Sequence, residues 1–343
     1  MPERRCFYQK TQALSIKGAA SAHAQRSSHK GPTQSEYNRH HAMTPTLELQ
    51  SVTKAYGDFV AVDQVSLIVR SGTIFGLLGP NGAGKTTTLR MIMDIIAPDQ
   101  GEILFQGKPR SAEDLSKIGY LPEERGLYRK MTITDHLLFL AELHGMRRAQ
   151  ALPAIETWLE KVELSAWAKK RVEELSKGMQ QKIQLVGTVL HQPDLLILDE
   201  PFSGLDPVNQ ILFKDLLDEY RSLGKTVIFS THIMDQAEKL CDHICLISHG
   251  KAILDGALSE IKRSFGGNSY RLVATGDLER VGTLDGVDQV IPVDDGAMVL
   301  LDSETSGSEI LSDLVGFMTV REFRSEEPSL EDIFIKAVRD ESR

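Results

Sequence analysis

Gly79-Pro80-Asn81-Gly82-Ala83-Gly84-Lys85-Thr86 is the stretch on which the reading of this chain turns. It fits G-x-x-x-x-G-K-[ST] in full. Before it, Thr73 to Leu78 is a short apolar run of the kind that forms a buried strand. After it, Leu89, Ile92, Met93 and Ile96 fall at helical spacing across Thr86 to Ile96. In the order strand, glycine-rich loop, helix, the pattern has a mechanism. The glycines let backbone N–H groups curl around phosphate oxygens, and the helix N-terminus adds the positive end of its dipole. Lys85 neutralises charge on the outer phosphates and the Thr86 hydroxyl ligates Mg²⁺. Thr87 extends the phosphate-lining segment into the first helical turn.

A second signal lies downstream. Leu195-Leu196-Ile197-Leu198-Asp199-Glu200 is an apolar strand ending in two acids, which in a parallel sheet places them at the carboxyl edge where ligands bind. Two acids after a strand are often a solvated terminus; their pairing with a phosphate loop gives them chemistry. Asp199 is expected to hold the Mg²⁺ shell. Glu200, next along and pointing the other way, is expected to accept a proton from the attacking water or to orient it.

The rest of the chain is organised around these two blocks. Leu47 to Val52 alternates and Val65 to Val69 follows a turn at Tyr56-Gly57-Asp58, predicting an antiparallel opening sheet. Residues from about Thr132 to Leu190 read as helical, an insertion spanning about 128–190. Leu195 to Leu198 and Val227 to Phe229 are continuous apolar runs, as strands of a parallel sheet buried on both faces are. Beyond Gly266-Gly267-Asn268-Ser269 the pattern predicts strand 270–274, a short helix, strands 287–293 and 297–301, helix 308–317, strand 319–324 and helix 330–338. That order approximates the ferredoxin-like βαββαβ unit. The expected fold class is thus α/β, a mixed sheet with an antiparallel β subdomain and a helical insertion over 43–265, plus a small α+β unit over 269–340.

Bulk properties agree. With 41% hydrophobic and 25% charged residues the chain is an ordinary globular sequence rather than a disordered one. No stretch supplies the roughly 18 consecutive apolar residues of a membrane span, so none is expected. Cys6, Cys241 and Cys245 form neither a disulfide framework nor a zinc ligand set and read as free thiols of a reducing compartment. Residues 1–42 carry seven Lys/Arg against two acids and read as a disordered basic leader, with Met43 directly before the first strand-like segment. A faint likeness to an organellar transit peptide is the other reading. Without the leader the chain is more acidic still than its net −9, which argues against a nucleic-acid surface.

Leu175-Ser176-Lys177-Gly178-Met179-Gln180-Gln181 precedes the Asp-Glu strand and resembles the signature sequence of ABC (ATP-binding cassette) nucleotide-binding domains. Ser203-Gly204-Leu205-Asp206 and Ser230-Thr231-His232 follow where that P-loop NTPase family has its later blocks. The resemblance covers about residues 47–265. It implies an ATPase using ATP and Mg²⁺, in which a head-to-tail homodimer closes ATP between one protomer's P-loop and the other's Ser176 and Gly178. It further implies that His232 contacts the γ-phosphate and steadies the Glu200 water, that Asp206 couples the two sites, and that Tyr56 stacks on adenine. A separate transmembrane permease subunit would carry the cargo, with this chain peripheral on the cytoplasmic face and the helical insertion receiving the permease. The C-terminal Pro328-Ser329-Leu330-Glu331-Asp332-Ile333-Phe334 and the stretch Gly119 to Tyr128 resemble an export-type branch that includes sodium-extrusion and multidrug ATPase subunits.

Two stretches depart from the family pattern. Glu123, in Tyr120-Leu121-Pro122-Glu123, stands where Gln usually senses Mg²⁺ and the water; a carboxylate ligates a metal but donates no hydrogen bond. In the signature, Lys177 and Met179 stand where Gly and Gln are usual; Lys177 either binds γ-phosphate or faces solvent. Other readings are an ATP-binding scaffold without turnover and a soluble ABC ATPase acting on ribosomes or DNA, which the single uninterrupted cassette disfavours. The C-terminal unit reads as accessory or regulatory, to be separated by deletion after Ser264.

Overall fold

A computed structural model describes residues 45–341 apart from 125, 267, 294 and 303. The leader expected over 1–42 lies outside the described residues. The antiparallel opening is present: β1 (Leu47–Tyr56) pairs with β2 (Phe59–Val69), and the alternation that predicted it buries Leu47, Leu49, Val65, Leu67 and Val69 on one face. The other side of β1 pairs with β4 (Gln100–Phe105), which carries the short edge strand β5 (Lys108–Pro109) and reaches this sheet only after the chain has passed through the phosphate loop.

Strands β3 (Ile74–Leu78), β6 (Ile118–Leu121), β7 (Leu195–Asp199), β8 (Thr226–Thr231), β9 (His243–Ser248) and β10 (Lys251–Ala257) form the central sheet in the order β10-β9-β3-β8-β7-β6. All neighbours are parallel except the β9–β10 hairpin. Strand alternation divides its core in two. Leu196, Leu198 and Phe229 face the helical side with Leu137, Ile155, Ile183 and Phe213, whereas Ile197, Ile228 and Phe75 face the antiparallel sheet with Leu47, Leu89 and Ile103.

The register fixes where chemistry can occur. Leu78 lies beside Thr231, Asp199 beside Ser230, and Leu121 beside Leu198, so β3, β6, β7 and β8 end together at one edge. From that edge emerge the phosphate loop, the segment holding Glu123, the Asp-Glu pair and His232.

The helices are α1 (Lys85–Ile92), α2 (Ile133–Leu143), α3 (Arg148–Lys161), α4 (Lys177–Val189), α5 (Pro207–Ser222), α6 (Met234–Leu240) and α7 (Leu258–Gly266). Helix α1 stops short of the expected Ile96, where Asp94 turns to φ 58° and its carboxylate accepts from Arg110 at 2.8 Å. Among the described residues no helix is long and apolar enough to cross a membrane.

The C-terminal segment builds β11 (Ser269–Thr275), α8 (Leu278–Val281), β12 (Val287–Val293), β13 (Gly296–Leu301), α9 (Gly307–Val315) and β14 (Thr319–Ser325). The sheet order β12-β13-β11-β14, antiparallel throughout, is the ferredoxin-like arrangement. Leu272, Val299, Ile310 and Leu314 form its core. The last helix, α10 (Leu330–Glu341), does something the strand-and-helix pattern does not express. Its Leu330 and Ile333 join the larger core on the helical side of the central sheet, and the Leu330 N–H donates to Glu238 Oε2 of α6 at 2.9 Å.

Candidate functional site

The loop between β3 and α1 is shaped by positions that tolerate no side chain. Gly79 has φ +147° and a Cβ there would meet the Ile247 carbonyl oxygen at 2.1 Å; Gly84 has φ +109° and a Cβ would meet the Ala61 oxygen at 2.4 Å. Glycine is therefore dictated by backbone shape and by close approach. Because Gly84 is also the N-cap of α1, no side chain satisfies the first N–H groups of that helix, and its first turn carries no acid. Those orphan donors, on Lys85, Thr86 and Thr87, are what an anion at a helix N-terminus uses. Ala83 is buried and its N–H donates to the Pro80 carbonyl at 3.2 Å, closing the turn; Asn81 and Gly82 form its exposed and open tip. The Lys85 ammonium is buried, donating to the carbonyls of Gly79 at 2.8 Å and Pro80 at 3.1 Å.

Three loops converge on that ammonium. Glu200 Oε1 stands 3.6 Å from Lys85 Nζ and 3.0 Å from His232 Nδ1. A histidine that donates to a carboxylate through Nδ1 leaves Nε2 for another partner. Glu200 occupies the left-handed region, with φ 48°, uncommon for a residue with a side chain and a form of strain that concentrates at functional sites. This turn goes with the Glu200 carboxylate reaching Lys85 and His232.

Asp199, 1% exposed, accepts from the Thr86 hydroxyl at 3.3 Å and from Ser230 Oγ at 2.5 Å, both at Oδ1. Its Oδ2 is buried and has no hydrogen-bond partner. A buried carboxylate oxygen left open beside a threonine hydroxyl is a hard-oxygen donor set that fits Mg²⁺, which takes one or two protein oxygens and completes its shell from phosphate and water. Ser230, not singled out from the sequence, also accepts from the Glu200 N–H at 3.0 Å and so ties both acids to the end of β8. Its signal was available in the Ser-Thr-His block, one strand position across from Asp199. Tyr120 on β6 is a further neighbour: burial, then the Asp199 charge, pushes its phenol up to about 12, keeping it protonated.

Of the remaining predicted residues, Ser176, Gly178 and Asp206 lie near one another. Ser176 caps α4 by accepting from the Met179 N–H at 3.3 Å, and Asp206 caps α5 by accepting from the Asn209 N–H at 3.0 Å. That cap holds the Asp206 carboxyl below its usual range. A Cβ on Gly178 would meet Asn209 Nδ2 at 3.0 Å, so the signature start and the α5 cap are neighbours. Tyr56, at the exposed tip of β1, has Lys54 Nζ 5.8 Å from its ring centroid; its hairpin reaches the phosphate loop through Ala61. Glu123 is exposed and lines one cavity with Asp199 and Glu200. Two glutamines of α4, also not anticipated, link these parts. Gln184 Nε2 donates to the carbonyls of Pro122 and Glu124 on either side of Glu123, and Gln181 Nε2 to those of Pro201 and Ser203 after Glu200.

Comparison with known proteins agrees with this arrangement. Residues 62–203 match the family described as ABC transporter, and residues 256–338 match the C-terminal domain of DrrA1-3-like ATP-binding proteins. The chain is 46% identical over 292 residues to the ABC transporter ATP-binding protein YhaQ of Bacillus subtilis, covering 85% of this chain and 98% of that protein. It is 41% identical over 213 residues to the Nod factor export ATP-binding protein I of Sinorhizobium fredii, covering 61% of this chain and 62% of that one. A solved ATP-binding subunit of an ABC transporter superposes with a TM-score of 0.61 at 31% identity, over 64% of this chain and 93% of its own. The cbiO1 protein of Clostridium perfringens, part of the ABC transporter complex cbiONQ, gives 0.56 at 25% identity, over 70% and 98%. With phosphate loop, Asp-Glu pair and His232 at one sheet edge and a relative matched over nearly its whole length, this chain belongs to the ATP-binding proteins of ABC transporters, a family that hydrolyses ATP.

Proposed function

We propose that this chain is the ATP-hydrolysing subunit of an exporter, acting as a homodimer that closes around two ATP molecules and drives a separate membrane-embedded permease from the cytoplasmic face. The observation that carries the reading is the meeting of Lys85, Glu200 and His232 at one carboxylate oxygen, beside an open buried oxygen of Asp199. The first helical turn of α1 and Lys85 bind the triphosphate. Glu200 takes up the proton of the attacking water or fixes its orientation, and His232 holds Glu200 in place while its free ring nitrogen meets the γ-phosphate. Thr86 and Asp199 would hold Mg²⁺, with Glu123 a further carboxylate available to it; when bound, the metal would neutralise charge on the phosphates. Tyr56, half exposed at the tip of its hairpin, stacks on the adenine.

Self-association is supported by the placement of Ser176, Gly178 and Asp206. They lie together at the starts of α4 and α5, where Val208 and Ile211 are 75% and 60% exposed. The export direction rests on the likeness to Nod factor export ATP-binding proteins. Turnover should be measured for the purified chain alone and with its permease, beside Glu200→Gln, with light scattering for mass. Turnover by wild type, lost by at least about 100-fold in the variant, with the variant trapped as an ATP-bound dimer, is the expected result. Absence of turnover in wild type with the permease present would instead leave an ATP-binding scaffold.

A further inference from the structure

The C-terminal helix docks on the short helix that follows His232. Helix α6 starts two residues after that histidine, and the N–H of its N-cap, Ile233, is held by the Thr231 hydroxyl at 3.0 Å. The backbone on either side of His232 is thus set by where α6 lies. A helix of seven residues has little stability of its own, so its place depends on what packs against it. Met234, Ala237 and Leu240 bury one side of α6 in the same core as Leu330 and Ile333 of α10.

The polar side of α6 is tied down by Glu238. Its Oε2 accepts the Leu330 N–H at 2.9 Å, and its Oε1 accepts from the Lys262 ammonium of α7 at 2.7 Å. Leu330 is the first residue of α10. Just before it, Ser329 and Asp332 satisfy each other's N–H groups at 3.0 and 3.1 Å, which leaves the Leu330 N–H without a partner inside its own helix. Glu238 supplies that partner and places a negative charge at the positive end of the α10 dipole. Lys262 also lies 3.8 Å from Glu327, directly ahead of α10. Helices α6, α7 and α10 therefore meet at one carboxylate, six residues after His232.

We propose that Glu238 is a positioning residue through which the C-terminal helix α10 sets His232, so that full turnover requires α10 to be docked. This rests on the ATPase reading above and gives the C-terminal segment a part in it. With α10 seated, α6 holds His232 where Nδ1 reaches Glu200 at 3.0 Å. Without the Glu238 tie, α6 keeps its core contacts but loses its charged anchor, and the histidine strays from the glutamate. The phosphate loop is built from β3 and α1, so ATP binding is left in place.

The test is a double-mutant cycle on the full chain, reading steady-state kcat and KM for ATP in wild type, Glu238→Ala, His232→Ala and the double variant. Glu238→Ala should lower kcat about three- to tenfold and change KM less than about twofold. In the His232→Ala background it should lower kcat less than about twofold, because the residue it acts through is already gone. Glu238→Gln, whose side-chain oxygen still accepts the Leu330 N–H, should keep kcat within about twofold of wild type. Circular dichroism checks that each variant folds, and Glu238→Met, which keeps the stem and the helix propensity but lacks the carboxylate, carries the cycle if the alanine variant does not. An equal loss of kcat in both backgrounds, or none in either, would overturn the proposal. Absence of turnover in wild type would overturn the ATPase reading and this proposal with it, whereas wild-type turnover untouched by Glu238→Ala would overturn the proposal alone.

Discussion

Glu200 and His232 meet across two different strand ends, with Nδ1 of the histidine 3.0 Å from Oε1 of the glutamate, the same oxygen that stands 3.6 Å from the Lys85 ammonium. One carboxylate oxygen thus faces both the group that binds phosphate and the group that orients the base. Replacing His232 with Ala frees Glu200 to turn toward Lys85 alone. Steady-state kinetics should then show kcat lowered by about 10²-fold, the scale of a mispositioned general base, with KM for ATP changed much less. A raised KM with kcat unchanged would mean that His232 acts mainly in ground-state binding.

Ser230 receives the Glu200 N–H and donates to Asp199 Oδ1, and it is fully buried. Ser230→Ala leaves both groups short of a partner, a change of about 1–3 kcal/mol in a buried site. Thermal unfolding should show the loss. Turnover should fall too, because the Glu200 backbone, already at a strained φ, loses the contact that pins it; unchanged kcat in a destabilised protein would separate the two effects.

The phosphate loop, the Asp-Glu strand end and the Ser-Thr-His block were legible because each is a local string whose spacing has one mechanical meaning. The ferredoxin-like order was legible for a related reason: alternation and turn residues mark each element, and few topologies join them. What could not be read was whatever depends on elements distant in sequence. Gln181 and Gln184 look like ordinary helix residues until Pro122 and Pro201 are brought beside them. The burial of Leu330 and Ile333 is legible as an apolar face, but nothing local says which core receives it.

Acid should weaken the helical side of the molecule. His136 on α2 is fully buried with both ring nitrogens lacking a hydrogen-bond partner, and burial lowers its pKa from 6.5 to about 4. His191, stacked on His144 at 3.8 Å, is lowered to about 4 by burial and then by that neighbour. Both imidazoles stay neutral when folded, while the unfolded chain takes up protons below about 6.5. Stability is therefore retained above about pH 6.5 and lost as pH falls toward about 4, by about 2 kcal/mol per histidine at about pH 5. Denaturant titrations at about pH 7.5, 6 and 5 should show this slope, and His136→Leu should flatten it. An identical slope in the variant would remove His136 from the account.

Helix α10 belongs energetically to the ATPase core although it ends the C-terminal segment. Leu330 and Ile333 are 2% and 1% exposed within the core that holds Phe213 and Phe229, and the Leu330 N–H is held by Glu238 of α6, the helix that starts two residues after His232. Leu330→Ala should cost about 2–5 kcal/mol, as other large-to-small core changes do. The loss should appear in the main unfolding transition rather than in a separate one of the four-stranded sheet. Val315→Ala, at a position 60% exposed on α9, should stay within about 0.5 kcal/mol of wild type. The same packing changes what deletion after Ser264 would measure. It would remove a regulatory candidate and uncover the ATPase core in one step, whereas Leu330→Ala in the full chain loosens the contact and keeps the small sheet. A separate low-temperature transition in Leu330→Ala, with the main one unmoved, would mean that α10 is only an attachment.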